Sequence, residues 1–279
     1  MRRKLLAALV MLPFALVFFA FQIAPLIWMA VHSFNSEMEG WGFGNYREIF
    51  TSPFYRQAIF FSLHITFWSS LFGVLIALVG SYSLFRLRRG KLHDMVLSFT
   101  NMTSNFSGVP LAFAFIILLG ANGCLTLLMR QFGLMNDFSL YSKSGLVLIY
   151  TYFQIPLGVM LLYPAFEALR EEWRESAALL GAGAARYWRH IGLPVLMPAL
   201  AGTFVILLAN ALGAYATLFA LTGGNFNAIP IRISALVAGD LYLDPNMAGA
   251  LGMLLVALMA LITAAHRWIA RHGYQHARR

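Results

Sequence analysis

Residues 175–198 read ESAALLGAGAARYWRHIGLPVLMP, a charged, glycine-bent interruption between two long apolar stretches. The 279-residue chain around it is 60% hydrophobic and 11% charged, with a mean hydropathy of +0.71. A soluble domain carries about 25% charged residues, so this is the composition of a membrane protein. The formal charge of +9 does not indicate a nucleic-acid surface, which needs basic side chains gathered on one folded face. Here short basic clusters alternate with long apolar runs. The single cysteine, Cys124, excludes an intrachain disulfide and a thiolate metal cluster from this chain alone, and reads as a small apolar filler.

A helix that crosses a bilayer needs about 20 apolar residues. Six stretches qualify, at about 5–31, 58–85, 95–119, 145–166, 199–221 and 247–268. The first is longer than the roughly 7–15 residues of a secretory leader, so it reads as a retained span, with Pro13 and Pro25 as points of kinking. Fifteen of the 20 basic residues then fall on one side of the alternation: Arg2, Arg3, Lys4, Arg86, Arg88, Arg89, Lys91, Arg170, Arg174, Arg186, Arg189, Arg267, Arg271, Arg278 and Arg279. Arg47, Arg56, Arg130, Lys143 and Arg232 fall on the other. The excess of basic residues places both termini in the cytoplasm. The expected fold is one all-α membrane domain over 1–279, with six transmembrane helices and cytoplasmic N- and C-termini. None of the 11 acidic residues lies inside a span, which weighs against a proton-coupled carrier. His64, the one imidazole in a span, reads as a hydrogen-bonded packing residue.

The chain contains no G-x-x-x-x-G-K-[ST] phosphate loop, so an ATP-driven function requires a second polypeptide. The longest cytoplasmic loop, 167–198, is the natural docking element. Its first part, EALREEWRESAALL, favours a helix with Leu169, Trp173, Ala177 and Leu180 as an apolar stripe. Gly181 and Gly183 permit a reversal. A second short helix, AARYWRHIGL, is expected to stop at Pro194, with Pro198 in the first turn of the fifth span. A solvated loop resting at lipid headgroups fits the same pattern.

The spacing resembles the EAA loop of permease subunits in binding-protein-dependent ABC importers. That pattern is E-A-A, three residues, G, nine residues, I-x-L-P, and it is met by Glu175, Ala177, Gly181, Ile191, Leu193 and Pro194, with Ser176 in place of the first alanine. The resemblance implies the type I, MetI-like permease fold in a bacterial inner membrane. It implies a coupling helix around Glu175–Ala185, including Ala182, seated in a groove of an ATP-binding cassette subunit dimer. It further implies a second permease subunit, identical or homologous, and a periplasmic solute-binding protein. The chain itself would carry no catalysis and no cofactor.

The run TNMTSNFSGVP, residues 100–110, opens the third span with Asn101, Thr103, Ser104, Asn105 and Ser107. With Gln154, Asn210 and Tyr215, these polar groups either line a translocation pathway or bond neighbouring helices, the latter worth about 0.6 kcal/mol per pair. The outer loop 222–246 includes a short helix expected over 231–241. Its words LTGGNFN and IPIRISALVAGD resemble permeases of the polyamine and 2-aminoethylphosphonate type. A reading from a different class is a secondary carrier or channel that uses no ATPase.

Overall fold

The computed structural model describes residues 11–87, 90–133, 138–239 and 243–276, with side chains as far as 267. Leu5, the first basic cluster, Arg88, Arg89, Asp137, Asp240, Arg278 and Arg279 lie outside the described residues. The chain is helical almost throughout: α1 (Met11–His32), α2 (Gly44–Thr51), α3 (Pro53–Arg86), α4 (Lys91–Ser104), α5 (Gly108–Leu119), α6 (Cys124–Gln131), α7 (Lys143–Glu167), α8 (Glu171–Leu179), α9 (Ala184–Leu212), α10 (Tyr215–Thr222), α11 (Ile229–Ala238) and α12 (Pro245–His276). A two-residue hairpin pairs β1 (Asn35–Ser36) with β2 (Gly40–Trp41). Six helical stretches are long and apolar enough to cross a membrane: α1, α3, α5 continued through α6, α7, α9 and the first part of α12.

Cα packing divides the chain into two compact units. The first gathers Met1–Ile59 and Asn227–Leu258. Its core is Ile49, Ile229, Met247, Ala250 and Leu251, all buried. Met29 of α1 lies against Gly249 and Gly252 of α12; a Cβ on Gly252 would stand 2.9 Å from its sulfur. Small residues permit this approach where helices associate in lipid. Asp244 caps α12 by accepting the Met247 N–H at 2.8 Å, and Pro245 fills the position whose N–H would be unsatisfied.

The second unit gathers Phe60–Phe226 and Met259–Arg279. Here α3 crosses α7 on missing side chains. A Cβ on Gly158 would meet the Ala77 Cβ at 2.7 Å, and one on Gly73 would meet Gln154 at 3.1 Å. Val74, Ala77, Leu84, Val159, Leu162 and Leu207 fill the core beside the crossing. Gln154 is fully buried; its Nε2 donates to Ser69 Oγ at 2.8 Å and its Oε1 accepts from Ser70 Oγ at 3.1 Å.

Two spans differ from the expectation. The third does not run through 95–119: it breaks after Ser104 and restarts at Gly108, whose φ of +73° suits glycine. The fifth breaks at Gly213–Ala214 before α10.

The crossing predicts an ordering of stabilities. Gln154→Leu removes two interhelical bonds and costs on the order of 1 kcal/mol. Gly158→Ala overpacks the closest approach and costs about 1–3 kcal/mol. Thermal unfolding of the detergent-purified chain should therefore show Gly158→Ala at or below Gln154→Leu, with both below the parent.

Candidate coupling loop and broken helices

The loop begins where α7 ends at Glu167. Glu171 and Glu172 occupy the first turn of α8, where acids complement the helix dipole. After Leu180 the chain turns through Gly181 at φ +76°. The Ala182 N–H bonds the Ala177 carbonyl at 2.9 Å and the Gly181 N–H bonds that of Ala178 at 2.9 Å. This pair of bonds is a Schellman cap, and its left-handed residue is Gly181. A Cβ on Gly181 would meet nothing within 4 Å, so the requirement for glycine inside this chain is conformational.

The expected stop at Pro194 does not occur. A single helical path runs from Ala184 to Leu212. It is α-helical over Ala184–Tyr187, widens into a π turn over Trp188–Gly192, and continues as Leu193–Leu212 through Pro194 and Pro198. The physical reason lies in the wide turn: the Leu193 N–H bonds the Trp188 carbonyl, five residues back. The helix thus absorbs the donor that proline lacks, as π-bulges do.

Gly192 is buried within that turn. A Cβ there would stand 2.4 Å from Trp188 Cε3, so the indole lies directly on the glycine backbone. From that seat Trp188 meets the Tyr82 ring edge-on at 5.4 Å and the Phe166 ring at 6.4 Å. Phe166, Leu169 and Leu196 form a buried cluster beneath it. The loop is therefore fastened to the ends of α3 and α7 by one indole and its neighbours.

The apolar stripe holds in part. Leu169 and Ala177 are buried, but Trp173 is 37% exposed and Leu180 is 87% exposed, with Leu179 at 90% beside it. The Schellman turn throws both leucines outward next to Gly181. Sequence periodicity assigned Leu180 to the packed face and passed over Leu179; the signal that identifies them is their place immediately before the glycine cap. Glu175, Ser176, Gly181, Ala185, Leu193 and Pro194 are also exposed, while Ala182 and Ile191 are half-buried. Ser176, Ala177, Ala182 and Ile191 share the wall of a largely apolar groove of about 650 Å³ between α8 and α9.

The second constellation lies at the two breaks. The Gly108 N–H donates to the buried Thr217 Oγ1 at 2.9 Å, joining the start of α5 to α10. The Ala214 carbonyl, released where α9 ends, accepts from the buried Tyr150 hydroxyl of α7 at 2.8 Å. The polar run before Gly108 partly caps its own helix: Ser104 Oγ donates to the Asn101 carbonyl at 2.7 Å and Asn105 Nδ2 to the same oxygen at 3.1 Å. Asn101 and Asn105 are exposed and Ser104 half-buried. Asn210 is exposed near the end of α9, and Tyr215 is the half-buried first residue of α10. Gln154 belongs to the α3–α7 crossing and is not gathered with them.

His64 does not have the expected bond at Nδ1, which is enclosed and unpartnered among the described residues. It lines a wide groove of about 1190 Å³ with Trp68, Phe72 and Tyr152. Cys124 is exposed rather than a packed filler.

Residues 69–272 match the family described as the binding-protein-dependent transport system inner membrane component. The chain belongs to that family and is a multi-pass inner membrane protein. It is 26% identical over 226 residues to the thiamine transport system permease protein ThiP of Salmonella typhimurium, covering 80% of this chain and 42% of that relative. It is 29% identical over 160 residues to the ferric transport system permease protein FbpB of Actinobacillus pleuropneumoniae, covering 57% of this chain and 23% of that one. The matched region is thus under half the length of these relatives. Among solved structures, a chain of a bacterial ABC transporter involved in the import of the acidic polysaccharide alginate superposes with a TM-score of 0.77 at 20% identity, covering 97% and 96% of the two chains. A chain of the inward-facing MetNI methionine ABC transporter gives 0.61 at 20% identity, covering 78% and 95%. The fold is that of type I ABC importer permeases.

The two loop glycines are expected to fail differently when substituted. Gly181→Ala forces alanine into the left-handed region at about 1–2 kcal/mol. Gly192→Ala displaces Trp188 from its seat. Tryptophan fluorescence of the purified chain should shift for Gly192→Ala and stay near the parent for Gly181→Ala.

Proposed function

We propose that this chain is one permease subunit of an ATP-driven importer and forms half of a pathway for a small solute delivered by a periplasmic binding protein. A second permease, identical or homologous, supplies the other half, and a pair of ATP-binding subunits supplies the energy. Both termini and the α8 loop face the cytoplasm, the orientation favoured by Arg86, Arg170, Arg174, Arg186 and Arg189 at that end of the spans.

The observation that carries this reading is the tip of the loop. Leu179 and Leu180 stand 90% and 87% exposed on a capped helix, and Trp188 fastens the following helix to the span ends. A water-facing pair of leucines at a rigid tip suits a groove on a partner, since each leucine hidden there contributes about 1.5–3 kcal/mol. Glu175, Ser176 and Gly181 lie beside them, and the bare Gly181 allows the partner's surface to approach its backbone. Movement of the docked tip would pass through Trp188 to α3 and α7, and along α9 to the break at Gly213.

The breaks are the natural gate. Asn101, Ser104 and Asn105 on one side, with Asn210 and Tyr215 on the other, are the pathway residues of this reading. Gln154 serves the α3–α7 crossing. The resemblance of Leu221–Asn227 and the following segment to polyamine and aminoalkylphosphonate permeases suggests an amine-bearing solute. Relatives named for thiamine and ferric transport lend that finer reading no support, and the binding protein is the more natural seat of selectivity.

The test is uptake in proteoliposomes holding the assembled system. Gly181→Asp and Leu180→Asp should leave the chain in the membrane while ATP-dependent uptake falls tenfold or more, a loss of about 1.4 kcal/mol or greater in docking. Unimpaired uptake by Leu180→Asp would reject the tip as the coupling surface. Uptake driven by a proton gradient in the chain alone would replace the importer with a secondary carrier.

A further inference from the structure

The loop has a second, inward side. Between the end of α3, the α8 helix with the residues just before it, and the first turn of α9 lies a cavity of about 320 Å³ lined by Arg86, Arg170, Arg174, Glu171 and the rings of Tyr82 and Trp188, among others. Its one acid is already engaged, with Glu171 Oε1 3.3 Å from Arg174 Nη1. Arg86 lies over the Tyr82 ring at 5.8 Å and donates weakly to its hydroxyl at 3.4 Å. Among the described residues, neither Arg86 nor Arg170 forms an ion pair. Three guanidinium groups against one carboxylate leave an excess of positive charge around a concave, aromatic-walled space.

We propose that this cavity binds the phosphate headgroup of an anionic phospholipid. Guanidinium forks match phosphate oxygens in a way that a single ammonium does not. The cavity lies where apolar helix gives way to charge: α3 ends at Arg86, while Leu78 and Phe85 continue the wall into the cluster around Phe166. A headgroup seated on the arginines would leave its acyl chains beside those apolar side chains. Tyr82 and Trp188 are the residue types that settle at headgroup depth, and basic pockets between span ends draw anionic lipid. A soluble phosphate would satisfy the arginines but leave the apolar continuation unused. A bound lipid would bridge Arg86 of α3 to Arg170 and Arg174 of the loop, holding α8 against the end of α3.

Native mass spectrometry of the detergent-purified full chain, titrated with phosphatidylglycerol or phosphatidylcholine, tests this. Phosphatidylglycerol should bind at least tenfold more tightly. Combining Arg86→Gln with Arg170→Gln should weaken it by about tenfold per arginine removed and leave phosphatidylcholine unchanged. Arg86→Lys, which keeps the charge without the fork, should fall between. Arg47→Gln with Arg130→Gln removes equal charge elsewhere and should retain the parent affinity. Thermal unfolding would establish that each variant is folded. Undiminished phosphatidylglycerol binding in the Arg86 and Arg170 double variant would overturn the site, as would an equal loss in the Arg47 and Arg130 control. Displacement by millimolar inorganic phosphate would overturn the lipid in favour of a soluble anion. Displacement on assembly with the ATP-binding subunit would overturn it in favour of a protein carboxylate.

Discussion

In hydrocarbon every backbone N–H and C=O must find a partner within the protein, because no water is present to supply one. An unbroken helix meets this condition by itself. In this chain the helical path breaks after Ser104 and at Gly213, at the ends of two spans, and each break releases groups that need an answer. Thr217 answers the Gly108 N–H, and Tyr150 answers the Ala214 carbonyl. Both partners are buried side chains on neighbouring helices, so the breaks are tied to the bundle and to each other. Irregular backbone beside a span is tolerated where it lies against protein or water, and in the proposed assembly the α5 and α10 starts are where a gate would sit.

The same economy of contact governs the loop. Its attachment rests on Trp188 and on the absence of a side chain at Gly192. The indole needs the glycine beneath it and the rings of Tyr82 and Phe166 beside it. Aromatic contacts of this kind are worth about 0.5–1.5 kcal/mol beyond the area they bury. They are also stiff, since an indole has only two side-chain torsions. The Schellman cap at Gly181 closes α8 with two backbone bonds, so the turn at the tip is built from the chain's own groups.

The spans and the loop were legible because their signals are long or rigidly spaced. Twenty apolar residues have few alternative readings, and a glycine at fixed distances from Glu175 and Pro194 is improbable in a random apolar chain. The breaks were harder. Asn101, Ser104 and Asn105 advertised something unusual, yet their polarity reads equally as lining or as helix capping; the bonds to the Asn101 carbonyl show the capping role. The Gly213–Ala214 break has neither proline nor a polar cluster to announce it. Pro194 misled for the opposite reason: proline normally ends a helix by local sterics, but the π turn supplied by Trp188–Gly192 is a tertiary accommodation that the proline does not reveal. Leu180 misled because helical spacing describes a face only while the helix lasts, and the cap at Gly181 begins just beyond it.

Continuity through Pro194 has a mechanical consequence. Had the helix stopped there, the loop would have been hinged to the fifth span, and movement at its tip would have dissipated in the hinge. Instead α9 runs for 29 residues from Ala184 to Leu212, about 43 Å at 1.5 Å per residue. One end lies beside the Gly181 turn and the other at the Ala214 carbonyl held by Tyr150. In the proposed assembly, a displacement imposed on the loop is therefore delivered to the break along a single rod. The wide turn at Trp188–Gly192 lies at the loop end, where the indole braces it against α3 and α7. The wide turn is thus supported by the bundle, and in the proposed assembly the displacement arrives at the far end of α9, where Tyr150 holds the Ala214 carbonyl.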